Sequence, residues 1–171
     1  MWKLIGQILA LGGVLFTVLT YQMRTNRRIL IAQSISSLCF CISYFLLGAH
    51  PAAVLNIIAI ARNLTFSYTE HKTHTLRRIA PLLFAVLMAL GGMMSWQGPT
   101  SLLVIVALIL NTLALGMHNP RLLRGSILIT SPMVLIYNCI VTSYGGIINE
   151  SLAVVSAIVG LIRYRNKAST K

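Results

Sequence analysis

The sequence predicts an all-α polytopic membrane protein, with seven transmembrane helices arranged as two parallel three-helix repeats joined by a linker helix. Three observations carry this. Of 171 residues, 57% are hydrophobic and 9% charged, which is more apolar surface than a soluble domain of this length buries, so the solvent must be largely lipid. Apolar segments of the length needed to cross a hydrocarbon core of about 30 Å recur along the whole chain. Lysine and arginine total 14 against two acidic residues, and the basic residues gather in every second gap between the apolar segments.

The segments run from Leu4 to Gln22, Ile29 to Leu47, Pro51 to Tyr68, Ile79 to Ser95, Ser101 to Met117, Gly125 to Ser143 and Ile147 to Ile162. The first could pass for a signal peptide. It continues to Gln22 without a small-residue cleavage site, however, so a retained first helix is expected.

Arg24, Arg27 and Arg28 follow the first segment, Lys72, Arg77 and Arg78 the third, Arg121 and Arg124 the fifth, and Arg163, Arg165, Lys167 and Lys171 the seventh. The other gaps, Gly48-Ala49-His50, Trp96-Gln97-Gly98-Pro99 and Tyr144-Gly145-Gly146, hold no lysine or arginine. The positive-inside rule then places the protein in the inner (plasma) membrane with its N-terminus outside and its C-terminus cytoplasmic, Lys3 being the exception. Trp2, Trp96 and Tyr144 at the outer ends and Tyr21, Tyr68 and Tyr164 at the inner ends match an interfacial aromatic belt.

Segments one to three and five to seven share a plan of helix, basic turn, helix, short glycine-containing turn and helix. A single helix between the triplets makes both enter the membrane from the same side, which is a parallel repeat. The chain is expected to form one integral membrane domain over residues 1–171, with repeat one at about 2–69, the linker helix at about 78–96 and repeat two at about 100–165.

The net charge of +12 does not argue for nucleic acid, because the charges come as small clusters in loops and not as a contiguous basic face. Cys39, Cys41 and Cys139 all lie in apolar segments, without the spacing of a disulfide framework or a zinc site. His71 and His74 sit among Lys72, Arg77 and Arg78, a setting that suits anionic lipid head groups better than a metal. No nucleophile with a base, carboxylate pair or phosphate loop is present, so neither an enzyme nor a cofactor is expected.

The stretch Tyr44-Phe45-Leu46-Leu47-Gly48-Ala49-His50-Pro51-Ala52 followed by Arg62, then Gly145-Gly146, Glu150 and Arg163-Tyr164-Arg165, resembles the bacterial inner-membrane YgjV family. The resemblance implies an inner-membrane location and carries no activity with it. The plan of three, one and three helices is similar, more distantly, to the sugar-transporting SWEET proteins and the PnuC-type transporters. The Pro-Gln dipeptide common in the first of these is missing here.

Five residues are candidates for binding a substrate. Arg62 stands about eleven residues beyond Pro51, roughly 16 Å into the third helix. An arginine near a helix centre costs about 2.5–3.5 kcal/mol to insert, so it lines a cavity or finds polar partners, unless it snorkels to the cytoplasmic interface beyond Tyr68. Glu150, the only acid in an apolar segment, is a ligand for a proton or a cation, or else a charge favoured by the helix N-terminus near a wet interface. Their depths suit opposite gates of one pathway better than a direct pair. Asn56, Asn138 and Tyr137 could line a central polar cavity, with interhelical hydrogen bonding as the alternative. Pro132 is expected to bend the sixth helix.

These features point to a small-solute transporter or facilitator in the bilayer, with a small polar solute as ligand and a homo-oligomer compatible with its lateral faces. The alternative is a non-transporting accessory or structural protein whose polar groups only hold helices together.

Overall fold

The computed structural model describes residues 2–20, 23, 26–69, 74–117 and 120–168. Among these, all regular structure is helical: α1 (Trp2–Thr20), α2 (Asn26–Leu47), α3 (His50–Thr69), α4 (His74–Met94), α5 (Ser101–Gly116), α6 (Pro120–Ile140) and α7 (Tyr144–Ala168). The expected segments coincide with these helices to within three residues at most ends, but α4 and α6 begin five residues earlier than expected and α7 runs six residues further, to Ala168. Arg24, Glu70, His71, Lys72 and Lys171 lie outside the described residues. Three helices, Trp2–Thr20, Arg27–Leu47 and Leu122–Ile140, are long and apolar enough to cross a membrane, and Ile79–Met94, Ser101–Gly116 and Tyr144–Gly160 are shorter apolar helices.

Burial is distributed as a lipid solvent requires. The outward faces carry large apolar side chains, among them Leu4, Ile8, Leu11 and Leu15 along α1 and Leu82, Leu83, Val86 and Leu90 along α4. The interior holds small and polar groups: Ala10, Ala49, Ala52, Ala53 and Ala107, with Ser34, Ser36, Ser43, Asn63, Thr112 and Asn138. In water this would expose far too large an apolar patch. Between helices in lipid, small residues allow close backbone approach and hydroxyls supply the bonds. Thr17 Oγ1 and Ser36 Oγ, 2.9 Å apart, tie α1 to α2 in this way.

Consecutive helices pack on one another, and two further contacts bring together elements distant in sequence, α1 with α7 and α3 with α5. The first depends on Gly145, since a Cβ there would meet the Ala10 backbone. The turns after α2, α4 and α6 all gather at one end of the bundle, called here the short-turn end. At the opposite end lie the last residues of α1, α3 and α5 and the first of α2, α4 and α6. Pro132 lies within α6, as its sequence position implied, and Pro81 lies within α4, where a Cβ on Gly116 of α5 would strike it.

Candidate functional site beneath the short turns

The turns that close α2 and α6 have the same construction. After α2, the Gly48 N–H bonds the Phe45 carbonyl (3.1 Å) and the Ala49 N–H bonds the Tyr44 carbonyl (2.8 Å). After α6, the Thr142 N–H bonds the Cys139 carbonyl (3.3 Å) and the Ser143 N–H bonds the Asn138 carbonyl (2.9 Å). Both are Schellman closures, which need a left-handed residue at the first position past the helix. Gly48 supplies it at φ 80°, and Thr142 adopts it at φ 57° despite its β-branch.

Each turn is then gripped by a glutamine from elsewhere in the chain. Gln97, before α5, donates to the Gly48 carbonyl (3.0 Å) and accepts from the His50 N–H (3.0 Å). Gln7, in α1, donates to the Thr142 carbonyl (2.6 Å) and accepts from the Tyr144 N–H (3.0 Å). In both cases one side chain satisfies the carbonyl of the left-handed turn residue and the first amide of the next helix, which a helix start leaves unpaired.

Below the turns, the Tyr44 hydroxyl donates to Asn138 Oδ1 at 2.7 Å, joining α2 to α6 through two residues 94 positions apart. Both are buried, Asn138 fully. Gly146 makes this possible, because any Cβ at that position would meet the Asn138 amide. Ser143 also reaches the Tyr44 hydroxyl, and Glu150, one helical turn beyond Gly146, lies within electrostatic range of it. The Glu150 carboxylate accepts from Asn149 Nδ2 at 3.1 Å and faces Ser131 of α6. Among the described residues, three buried polar atoms have no partner: Ser43 Oγ, Asn138 Nδ2 and Asn149 Oδ1.

The remaining candidates separate. Asn56 donates to the Ala52 carbonyl at 2.8 Å, and the Tyr137 hydroxyl lies against the Ala52 backbone, so both meet at the first turn of α3. Arg62 is elsewhere. It is buried where α3 meets α5, its Nε and Nη2 donating to Asn63 Oδ1 (3.1 and 2.9 Å) and its Nη1 to Thr112 Oγ1 (2.7 Å). Thr112 in turn bonds the Leu108 carbonyl (2.6 Å) and lies 3.1 Å from Met88 Sδ of α4. Arg62 therefore does not snorkel, and among the described residues its hydrogen-bond partners, like those of Glu150, are neutral.

Among the described residues no cluster of histidine, cysteine or acid could hold a metal ion.

The profile of the family described as a bacterial inner membrane protein, Imp-YgjV, matches residues 4–168. The chain belongs to this family. The resemblance read from the Gly48 and Gly145-Gly146 turns, Arg62 and Glu150 is thus borne out, and with it a location in the bacterial inner membrane. Neither a curated protein nor a solved structure matches the chain.

Sequence reasoning missed three residues in this family member: Gln7, Gln97 and the part played by Tyr44. A signal for each existed. Glutamine is unusual in or beside an apolar helix, and Tyr44, Gly48 and Ala49 stand at the same offset from Asn138, Thr142 and Ser143.

Proposed function

We propose that the protein is a small-solute transporter or facilitator of the inner membrane. In this reading all seven helices span the bilayer, with the N-terminus outside and the short-turn end facing out. α1–α3 and α5–α7 form two parallel triplets joined by α4, and a solute binds between them while one triplet rocks against the other. The observation that carries the reading is the mutual grip at the short-turn end. Gln7 of the first triplet holds a turn of the second, Gln97 beside the second holds the matching turn of the first, and Tyr44 meets its counterpart Asn138 between them. That pattern is what two copies of one unit about an axis along the membrane normal produce. The residues just below it, Asn138, Tyr137, Asn56 and Glu150, are the polar groups a solute would meet.

One observation favours a non-transporting accessory protein: Arg62, bonded to Asn63 and Thr112, ties helices together without facing the other candidates. A ligand panel of sugars, nucleosides, carboxylates and amines against purified protein discriminates the two, because a ligand bound only by the folded state raises its melting temperature. Transport predicts a stabilising solute that reconstituted protein also exchanges across vesicles, with both effects lost in Asn138→Ala at normal membrane abundance. A full panel without a shift, or a shift without exchange, would overturn it.

A further inference from the structure

We infer that Glu150, Asn149 and Asn138 form a binding site for a singly charged cation beneath the α6–α7 turn. The site would take an alkali ion that keeps a water, or a primary ammonium with a neighbouring hydroxyl.

The argument starts from charge. A carboxylate within a membrane helix is retained at a cost and pairs with a cation or a proton where it can. Among the described residues the hydrogen-bond partners of Glu150 are neutral, Asn149 and Ser131. Arg62, the charged side chain that is buried among the described residues, is occupied by Asn63 and Thr112 at the α3–α5 contact. Among the described residues, Glu150 therefore stands half-buried beneath a turn without a cationic partner.

A second, independent observation is the set of unpartnered atoms around it. Buried polar atoms in native proteins are nearly always hydrogen-bonded, and an exception asks for a ligand or an ordered water. Asn149 gives its Nδ2 to Glu150, which leaves its Oδ1 as a free acceptor beside the carboxylate. A carboxylate with an adjacent amide oxygen is a pair of acceptors, which matches a cation. Asn138 adds the complement. Its Oδ1 is taken by Tyr44, while its Nδ2, in a side chain with no exposure, has no acceptor. The amide is held against Gly146, one turn before Glu150 on α7, so its free N–H can meet a lone pair on whatever the carboxylate holds. A retained water or a hydroxyl provides that lone pair. Tyr44, which links α2 to this amide, makes occupancy of the site sensible to the first triplet.

The inference rests on the transport reading only for what the cation would drive. The site itself stands or falls by binding. Purified protein in detergent is titrated at constant ionic strength, with tetramethylammonium chloride as the background because that ion has no N–H to donate. Sodium, lithium and potassium chlorides form one arm, methylammonium and ethanolammonium chlorides the other. The expected result is a saturable rise in melting temperature in one arm, absent in Glu150→Gln, unchanged in Cys139→Ser, and shifted to about tenfold or higher concentration in Asn149→Ala, which loses one hydrogen bond to a charged group. A response to alkali ions alone identifies an inorganic ion, and a response to the amines alone identifies an ammonium. No response in either arm, or an equal response in Glu150→Gln, overturns the site. If Glu150→Gln does not fold, the Asn149→Ala titration decides. A bound cation without solute exchange would leave the site standing and remove the transport reading.

Discussion

Thr112→Val should harm this protein more than Arg62→Met, although the second removes the charge. The Arg62 guanidinium is buried and makes three hydrogen bonds, one of them to Thr112 at 2.7 Å. Valine keeps the shape of threonine but leaves the charge with one partner fewer, and a bond to a charged group is worth about 1.5–3 kcal/mol. Methionine removes the charge itself. That orphans Asn63 Oδ1, at a cost of about 1–3 kcal/mol, but returns the roughly 2.5–3.5 kcal/mol spent on inserting an arginine. The two contributions nearly cancel, so Arg62→Met should lie within about 2 kcal/mol of the parent. This is the asymmetry expected of a buried ion, where breaking the partnership costs more than deleting it. Thermal melting of detergent-purified protein, followed by size-exclusion chromatography, reads the difference. At about 2–4 °C per kcal/mol for a chain of this size, Thr112→Val should lower the midpoint by roughly 3–12 °C. In the double variant the Thr112→Val penalty should largely vanish, because its cost exists only while the charge is present. Additive effects, or an unfolded Arg62→Met beside an unaffected Thr112→Val, would refute the reasoning.

Gln7→Ala and Gln97→Ala should each lower stability by about 1 kcal/mol, since each loses two partly solvated hydrogen bonds of the same geometry; melting curves showing a large effect for one and none for the other would contradict the matched grips. Thr142→Gly should stabilise by up to about 1 kcal/mol by relieving the left-handed backbone, while Gly48→Ala should cost about 1 kcal/mol, and the opposite signs can be read in the same melting assay. Fluorescent protein fused after Lys171 should fluoresce in intact cells and alkaline phosphatase fused there should be inactive; the reverse pattern would invert the topology.

Much of this fold could be read in the sequence because lipid imposes a simple rule. A membrane span must stay apolar for about 20 residues, and arginines such as Arg77, Arg121 and Arg163 mark where the apolar stretch stops, although they lie inside α4, α6 and α7. The ends of α1, α2, α3 and α5 were legible for that reason, whereas α4 and α6 begin five residues before the expected Ile79 and Gly125. The extension of α7 was not, because Arg163, Arg165 and Lys167 mark where a span ends but say nothing of where a helix ends. The site was legible only in its members. Arg62, Glu150, Asn56, Asn138 and Tyr137 stand out by polarity in an apolar background, yet polarity alone carries no direction. Arg62 faces Thr112, Asn138 faces Tyr44, and Asn56 is turned back on its own helix. These are rotational facts about helices. Since small outward shifts in crossing change them, only assembly of the bundle decides them.

The crossed glutamines bear on how the chain can be made. Residues 1–69 contain the Gly48 turn but not Gln97, and the segment from 74 onward contains the Thr142 turn but not Gln7. Each half emerges from synthesis with an open seam that the other half must stitch. The early helices therefore wait in the bilayer, incompletely fastened, until the late ones arrive, and two severed halves would be useful to a cell only as mates.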